Sequence, residues 1–174
     1  MSSNMAEVRG STELLVGGPE GVSFATSLQV GCVRLTERFL ASDPPTAGEL
    51  EAAAAHVRPL LPVLAVESAV GVAGTVTTVA AIDLGLDAYD PTLIHGHRIS
   101  RAAVDGVLVD LSVLPLAERE RVPGLEPARA PVIVGGLVVL REVMARYGLA
   151  TIEASERDIL HGAALAAAET QASD

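Results

Sequence analysis

Apolar and polar positions alternate with period two at the start of the chain and with a helical period through most of the rest. Residues 11–16 and 22–30 are β-leaning runs. The stretch between them, Gly17-Gly18-Pro19-Glu20-Gly21, is dense in turn residues, so the pattern predicts a hairpin. A helix is expected over 33–40, stopped by Asp43-Pro44-Pro45. Thr46-Ala47-Gly48-Glu49 then reads as a capping box opening a second helix. That helix puts Leu50, Ala53, Ala54, Val57 and Leu61 on one face, with Pro59 and Pro62 disturbing its end.

The middle of the chain reads as a buried strand over 67–73, a Gly74-Thr75 turn, and a helix over 75–84 ended near Gly85. Asp90-Pro91 is a turn or helix start with Asp as cap and Pro in the first turn. A compact piece, His95 to Ser100, follows. Ser100 is placed to cap a helix carrying Val104, Val107, Leu108, Leu111 and Leu114 on one face. Residues 116–130 form a charged, proline-punctuated connection. An apolar helix is expected from Pro131 to Tyr147, capped by Gly148, then a short strand over 150–153. Ser155 with Asp158 predicts one more cap, before a helix over 156–169.

Composition sharpens this outline. Hydrophobic residues make up 49% of the 174 residues but aromatics only 2%, so the core must be built from Val, Leu, Ile and Ala. Such side chains suit helices layered on a sheet. The chain has no lysine, and its net charge is −10. General nucleic-acid binding needs a basic footprint and is disfavoured. One small polyanion in a local site is not. It would be held by backbone N–H groups, hydroxyls, a few arginines or a metal. The lone Cys32 excludes an intramolecular disulfide and reads as a small buried side chain. The longest apolar run, 132–140, falls far short of the roughly 20 residues of a membrane helix. No signal core opens the chain, which reads as soluble and cytoplasmic.

Each candidate for chemistry has a plainer reading beside it. Gly10-Ser11-Thr12-Glu13 offers hydroxyls and N–H groups to a phosphate and Glu13 to water or metal; it also reads as an ordinary first strand. Gly74-Thr75 is either an anion-facing turn or a packing turn. His95 and His97 resemble a metal pair but lack further ligands at a metal-type spacing, so hydrogen-bonding roles are favoured. Arg98, Arg101, Arg121 and Arg129 are candidate polyanion contacts. With acids nearly twice as common as arginines, pairing with carboxylates such as Asp90, Asp105 and Glu126 is favoured for any one of them.

Six segments occur in order: Gly10-Ser11-Thr12-Glu13, Gly31-Cys32-Val33-Arg34-Leu35-Thr36-Glu37, Val72-Ala73-Gly74-Thr75-Val76-Thr77-Thr78, His95-Gly96-His97-Arg98-Ile99-Ser100, Pro123-Gly124-Leu125 and Arg129-Ala130-Pro131-Val132-Ile133-Val134-Gly135-Gly136. Together they resemble the exopolyphosphatase/guanosine pentaphosphate phosphohydrolase family, from about Gly10 to Ala164, and specifically its second half. The resemblance implies an α/β, ribonuclease-H-like fold of the actin/hexokinase type, a mixed sheet packed with helices. It implies hydrolysis of phosphoanhydrides of inorganic polyphosphate or pppGpp with Mg²⁺. It also implies phosphate contacts at Gly10, Ser11, Thr12, Glu13, Gly74, Thr75, Arg98 and Arg129. The family's first half supplies an Asp-x-Gly-Ser-Asn loop and the glutamate thought to activate water, and neither motif occurs here. No catalytic residue and no metal ligand is therefore assigned.

Two departures stand out. The family's Asp-hydrophobic-Gly-Gly-Gly-Ser-Thr-Glu is matched only by its last four residues, and its Arg-Ala-Asp/Glu becomes Arg129-Ala130-Pro131. Residues 1–9 read as a non-homologous leader, 10–169 as the second actin-like domain and 170–174 as a disordered tail. The expected protein is weak or inactive alone, and is completed by a separate N-terminal half or as a homodimer. The rival expectation is a non-catalytic remnant that binds a phosphorylated ligand or a partner.

Overall fold

The structure is a computed structural model that describes residues 10–18 and 21–156. The chain enters through a hairpin. Strand β1 (Thr12–Gly18) pairs antiparallel with β2 (Gly21–Leu28), with Thr12 opposite Leu28 and Val16 opposite Phe24. Period-two alternation half-buries Leu14, Val16, Phe24 and Leu28 on one face, as expected of a strand pair with one wet side.

Helix α1 (Cys32–Phe39) follows with Leu35 buried. Helix α2 (Ala47–Val57) opens on the predicted capping box. The Thr46 hydroxyl accepts from the Glu49 amide at 3.3 Å, and Glu49 accepts from the Thr46 amide at 2.7 Å. Ala53, Ala54 and Val57 are buried, and Pro59 tightens the exit into a 3₁₀ turn, Arg58–Leu60. Strand β3 (Val70–Val72) then leads into α3 (Gly74–Asp83), whose C-terminus is closed by Gly85 at φ +66°. A single helical turn, α4 (Pro91–Ile94), is capped by Asp90 through the Thr92 amide. Strand β4 (Arg98–Ser100) and helix α5 (Arg101–Ser112) meet at Ser100, whose hydroxyl caps the Ala103 amide at 3.0 Å. The connection 116–130 contains a one-turn helix, α6 (Leu116–Arg119), and a 3₁₀ turn, Pro127–Arg129. Helix α7 (Ile133–Arg146) and strand β5 (Thr151–Ser155) complete the described fold.

Strand β5 is the centre of a mixed three-stranded sheet, parallel to β3 and antiparallel to β4. Ile99, Ile152 and Ala154 point from it into the core, while Arg98 faces solvent. The core is aliphatic throughout, as the scarcity of aromatics requires. Helix α7 runs through it, buried from Ile133 to Leu140, with α1, α2, α3 and α5 packed on it. Two adjacent glycines permit this crowding. A Cβ on Gly135 would lie 2.7 Å from the Cys32 carbonyl oxygen, and one on Gly136 would lie 2.3 Å from Thr75 Oγ1. Only hydrogen fits at either surface.

Several expectations change. The strand expected over 67–73 is regular only over Val70–Val72, because β5 offers three paired positions and one further bond, Glu153 N–H to the Ala69 carbonyl. Cys32 is half-buried, not buried, since it starts α1 at the hairpin's exit. The charged, proline-punctuated connection 116–130 also reaches into the core, where its Arg119 is only 4% exposed. The cap and helix expected from Asp158 onward, the leader 1–9 and the tail 170–174 lie outside the described residues. No helix among the described residues is long and apolar enough to cross a membrane.

Candidate functional site

The carboxyl end of β3 delivers the chain to the N-terminus of α3 through Ala73, at φ 74° and ψ 169°. An L-residue is strained there by about 1–3 kcal/mol, because this region belongs essentially to glycine. Ala73 makes no side-chain cap and the first turn of α3 holds no acid. The leading N–H groups of α3 therefore keep their positive ends unopposed by any side chain of their own helix.

Over this turn lies Arg129. A Cβ on Gly74 would fall 1.4 Å from Arg129 Nη1 and 2.0 Å from its Cζ, so the guanidinium rests directly on the Gly74 backbone. Its Nε donates to Glu126 at 3.0 Å, an i,i+3 pair that holds the head in place. The fork is thus fixed by its inner nitrogen, with its outer nitrogens at the turn. Thr75 packs on Gly136 of α7, which anchors the other flank. Thr77 is buried, and its hydroxyl lies 3.5 Å from the Gly74 carbonyl oxygen.

Groups that sequence reasoning missed surround the turn. Val72 pairs with Ser155 across the parallel strands, so the next residue, Glu156, emerges beside Ala73. Tyr89 donates its phenol hydroxyl to Glu156 Oε1, and His95 Nδ1 accepts from the Glu156 amide at 3.4 Å. Burial first, and Glu156 next, raise the Tyr89 pKa; the Thr77 hydroxyl and the Arg129 charge work against them. One signal was available: Tyr89 is one of only two tyrosines and precedes the Asp90 cap.

The other predicted residues fall in different places. At the hairpin's entry Ser11 Oγ and Ser27 Oγ both donate to Glu13 Oε1, at 2.7 and 3.0 Å. The Thr12 hydroxyl donates to the Val30 carbonyl at 2.6 Å. Gly10 is covered by Arg34, whose Nε would lie 2.8 Å from a Cβ there. Both predicted phosphate loops thus carry an arginine seated on a glycine, and Arg34 was not among the predicted contacts. Arg98 donates to Thr151 Oγ1 at 3.2 Å, toward the amino end of β5 and away from Glu156. Arg101 faces Asp105 at 4.0 Å, whereas Asp90 serves as a cap and pairs with no arginine among the described residues. His97 bonds Asp83 at 2.7 Å, and His95 and His97 sit on opposite sides of Gly96, in a loop and not on one strand face.

Similarity to known proteins decides what this arrangement belongs to. Residues 9–170 match the model of the Ppx/GppA phosphatase family. The chain belongs to the Ppx/GppA phosphatase family. Exopolyphosphatase 2 of Mycobacterium tuberculosis is 41% identical over 170 residues, covering 91% of this chain and 53% of that protein. The bifunctional 3-dehydroquinate synthase/phosphatase of Fusobacterium nucleatum is 30% identical, covering 93% and 25%. Among solved structures, an exopolyphosphatase-like protein superposes with a TM-score of 0.84 at 36% identity, over 90% of this chain and 56% of that one. A Ppx/GppA family member from Aquifex aeolicus gives 0.83 at 28% identity, over 93% and 54%. The fold is the actin-like, ribonuclease-H-like one that the family shares. The chain spans about half the length of the Mycobacterium exopolyphosphatase it matches.

The resemblance leads one to expect a divalent metal, and the described residues do not make a site for it. No three His, Cys, Asp or Glu side chains converge among them. Glu13 is already held by two serine hydroxyls, Asp83 by His97 and Glu156 by Tyr89.

Proposed function

We propose that this chain forms one wall of a phosphohydrolase site that releases orthophosphate from phosphoanhydrides, with inorganic polyphosphate or pppGpp as substrate. The Arg129 guanidinium seated on Gly74, at the uncapped start of α3, carries the reading. It joins two features that favour a phosphate: a planar fork of donors and a helix N-terminus. Because phosphoryl transfer asks a protein mainly to position and to neutralise, such a wall contributes without a nucleophile. Gly10, Ser11, Thr12 and Glu13 face the same task at the hairpin's entry. Thr75 acts through the turn, and Arg98 enters on the family resemblance. Polyphosphate is the preferred substrate because the Mycobacterium relative is named an exopolyphosphatase.

The water-activating carboxylate and the Mg²⁺ ligands come, on this reading, from the portion of the family fold that this chain does not span. The protein then works in the cytoplasm, as a homodimer or with a separate N-terminal half. Phosphate release from polyphosphate and from pppGpp under Mg²⁺ tests this, for the chain alone and mixed with the N-terminal half of a relative. Turnover only in the mixture is expected. A folded chain that stays silent in both conditions removes the enzyme reading. A second reading, a binder without turnover, is favoured by one observation: Glu13 is tied to the hydroxyls of Ser11 and Ser27.

A further inference from the structure

A carboxylate stands beside the Gly74 turn, where an anion is meant to bind. Val72 and Ser155 pair in parallel register, so Ala73 and Glu156 leave strands that lie about 4.8 Å apart. One residue after Ala73 comes Gly74, with the Arg129 guanidinium seated on it. Glu126 engages that guanidinium through Nε. Among side chains, a carboxylate is the one that best imitates a phosphate toward an arginine fork. Left free, Glu156 would compete with phosphate for the outer nitrogens of Arg129.

The structure turns Glu156 elsewhere. Its Oε1 accepts the Tyr89 hydroxyl, and its amide donates to His95 Nδ1 at 3.4 Å. Tyr89 and His95 flank the single turn of α4, and both ends of that turn are pinned. Asp90 accepts from the Thr92 amide at 2.9 Å and from the Thr92 hydroxyl at 2.6 Å. At the other end the Gly96 amide donates to the Ala154 carbonyl of β5 at 2.8 Å. Burial first, and Glu156 next, raise the Tyr89 pKa, and the Arg129 charge is among the opposing influences, which puts Arg129 within electrostatic reach of the pair.

We propose that Tyr89 is a positioning residue that holds the Glu156 carboxylate off Arg129 and so keeps the Gly74 turn open to phosphate. The proposal rests on the phosphate-binding reading of that turn given above. Tyr89 acts here through Glu156 and need not touch the ligand. If the freed carboxylate occupied Arg129 four-fifths of the time, apparent affinity would fall about fivefold, within the range of an exposed ion pair.

The test is tripolyphosphate binding to the 174-residue chain, measured by calorimetry for the wild type, Tyr89→Phe, Glu156→Gln, the double variant and Arg129→Ala. Tyr89 is 51% exposed, and equal thermal melts verify that each variant folds. Tyr89→Phe should weaken binding about fivefold. Glu156→Gln keeps the oxygen that accepts from Tyr89, so alone it should tighten binding less than about twofold. In the double variant the competitor has lost its charge, and affinity should return to within about twofold of wild type. A Tyr89→Phe loss that persists in the double variant overturns the proposal, because the phenol then serves the ligand or the fold directly. No loss in Tyr89→Phe, or a fivefold gain from Glu156→Gln alone, overturns it as well. In each of these cases binding that still collapses in Arg129→Ala leaves the phosphate reading standing. A wild type that does not bind, or binding indifferent to Arg129→Ala, overturns both.

Discussion

Replacing Arg119 by alanine is expected to cost far more stability than removing any other arginine described here. The residue is 4% exposed, and its guanidinium is spent almost entirely on the backbone. Nε donates to the Leu111 carbonyl at 3.1 Å, Nη1 to Ala130 at 3.1 Å and Nη2 to Leu114 at 2.9 Å. Nη2 also faces Asp43 at 3.4 Å, and Asp43 accepts the Leu116 amide. Burial pulls the Arg119 pKa down and Asp43 opposes it. Truncation removes the donor from three carbonyls, each costing about 1–3 kcal/mol if left dry. Water entering the vacated space recovers part of that, and Asp43 is half-exposed and contributes little. The expected loss is about 3–5 kcal/mol, the range for breaking a buried charged contact. For a chain of this size that lowers the melting temperature by about 6–20 °C. Arg119→Met fills the volume without restoring donors, so it should lose nearly as much; Arg119→Lys should fall between. Urea unfolding of the three variants decides the matter. If the methionine variant stays within about 1 kcal/mol of wild type, the carbonyl-sealing argument is wrong and packing alone explains the site.

Three further outcomes are expected. Ala73→Gly relieves the positive-φ strain and loses some chain entropy, so it should be neutral to about 1 kcal/mol stabilising, read by urea midpoint. Gly136→Ala drives a Cβ into Thr75 and should cost about 1–3 kcal/mol despite alanine's better helix propensity; adding Thr75→Ala should return most of it in a double-mutant cycle. Hydrogen bonds, led by that from the Thr46 amide, draw the Glu49 carboxyl down from its ordinary 4.5 to about 2. Because the folded value is the lower one, its contribution is whole above about pH 4.5 and fades as pH falls toward 2. The stability gap between wild type and Glu49→Gln should therefore narrow on acidification, and a gap unchanged at pH 3 would contradict the assignment.

Much of the fold was legible in the sequence because its signals were local. The capping box at Thr46, the Asp90-Pro91 start, the Ser100 cap and the Gly85 and Gly148 stops each depend on residues within a few positions, and each stands where the pattern put it. The short reach of β3 was not legible, because the length of a strand depends on its neighbour, and β5 lies some eighty residues further along. The site divides in the same way. Gly74-Thr75 could be seen as a turn, but that Arg129 would sit on it could not. Neither could the arrival of Glu156 and Tyr89, which requires knowing that β5 runs parallel to β3.

Arginine shows most plainly where such reading stops. The chain has only arginine for positive charge, and nothing local separates Arg119 from Arg129 or Arg34. Arg119 donates inward to three carbonyls and seals a core. Arg129 and Arg34 instead approach glycines closely, Arg129 through its guanidinium at Gly74 and Arg34 through its Nε and stem at Gly10. The difference lies in the partner's missing Cβ. A glycine lets the guanidinium approach the backbone closely, so its charge adds to the N–H groups of the same turn. Any larger residue would push the two donor sets apart. In these two positions the glycine is best understood as half of an arginine site, and substituting it should move the charge before it disturbs the fold.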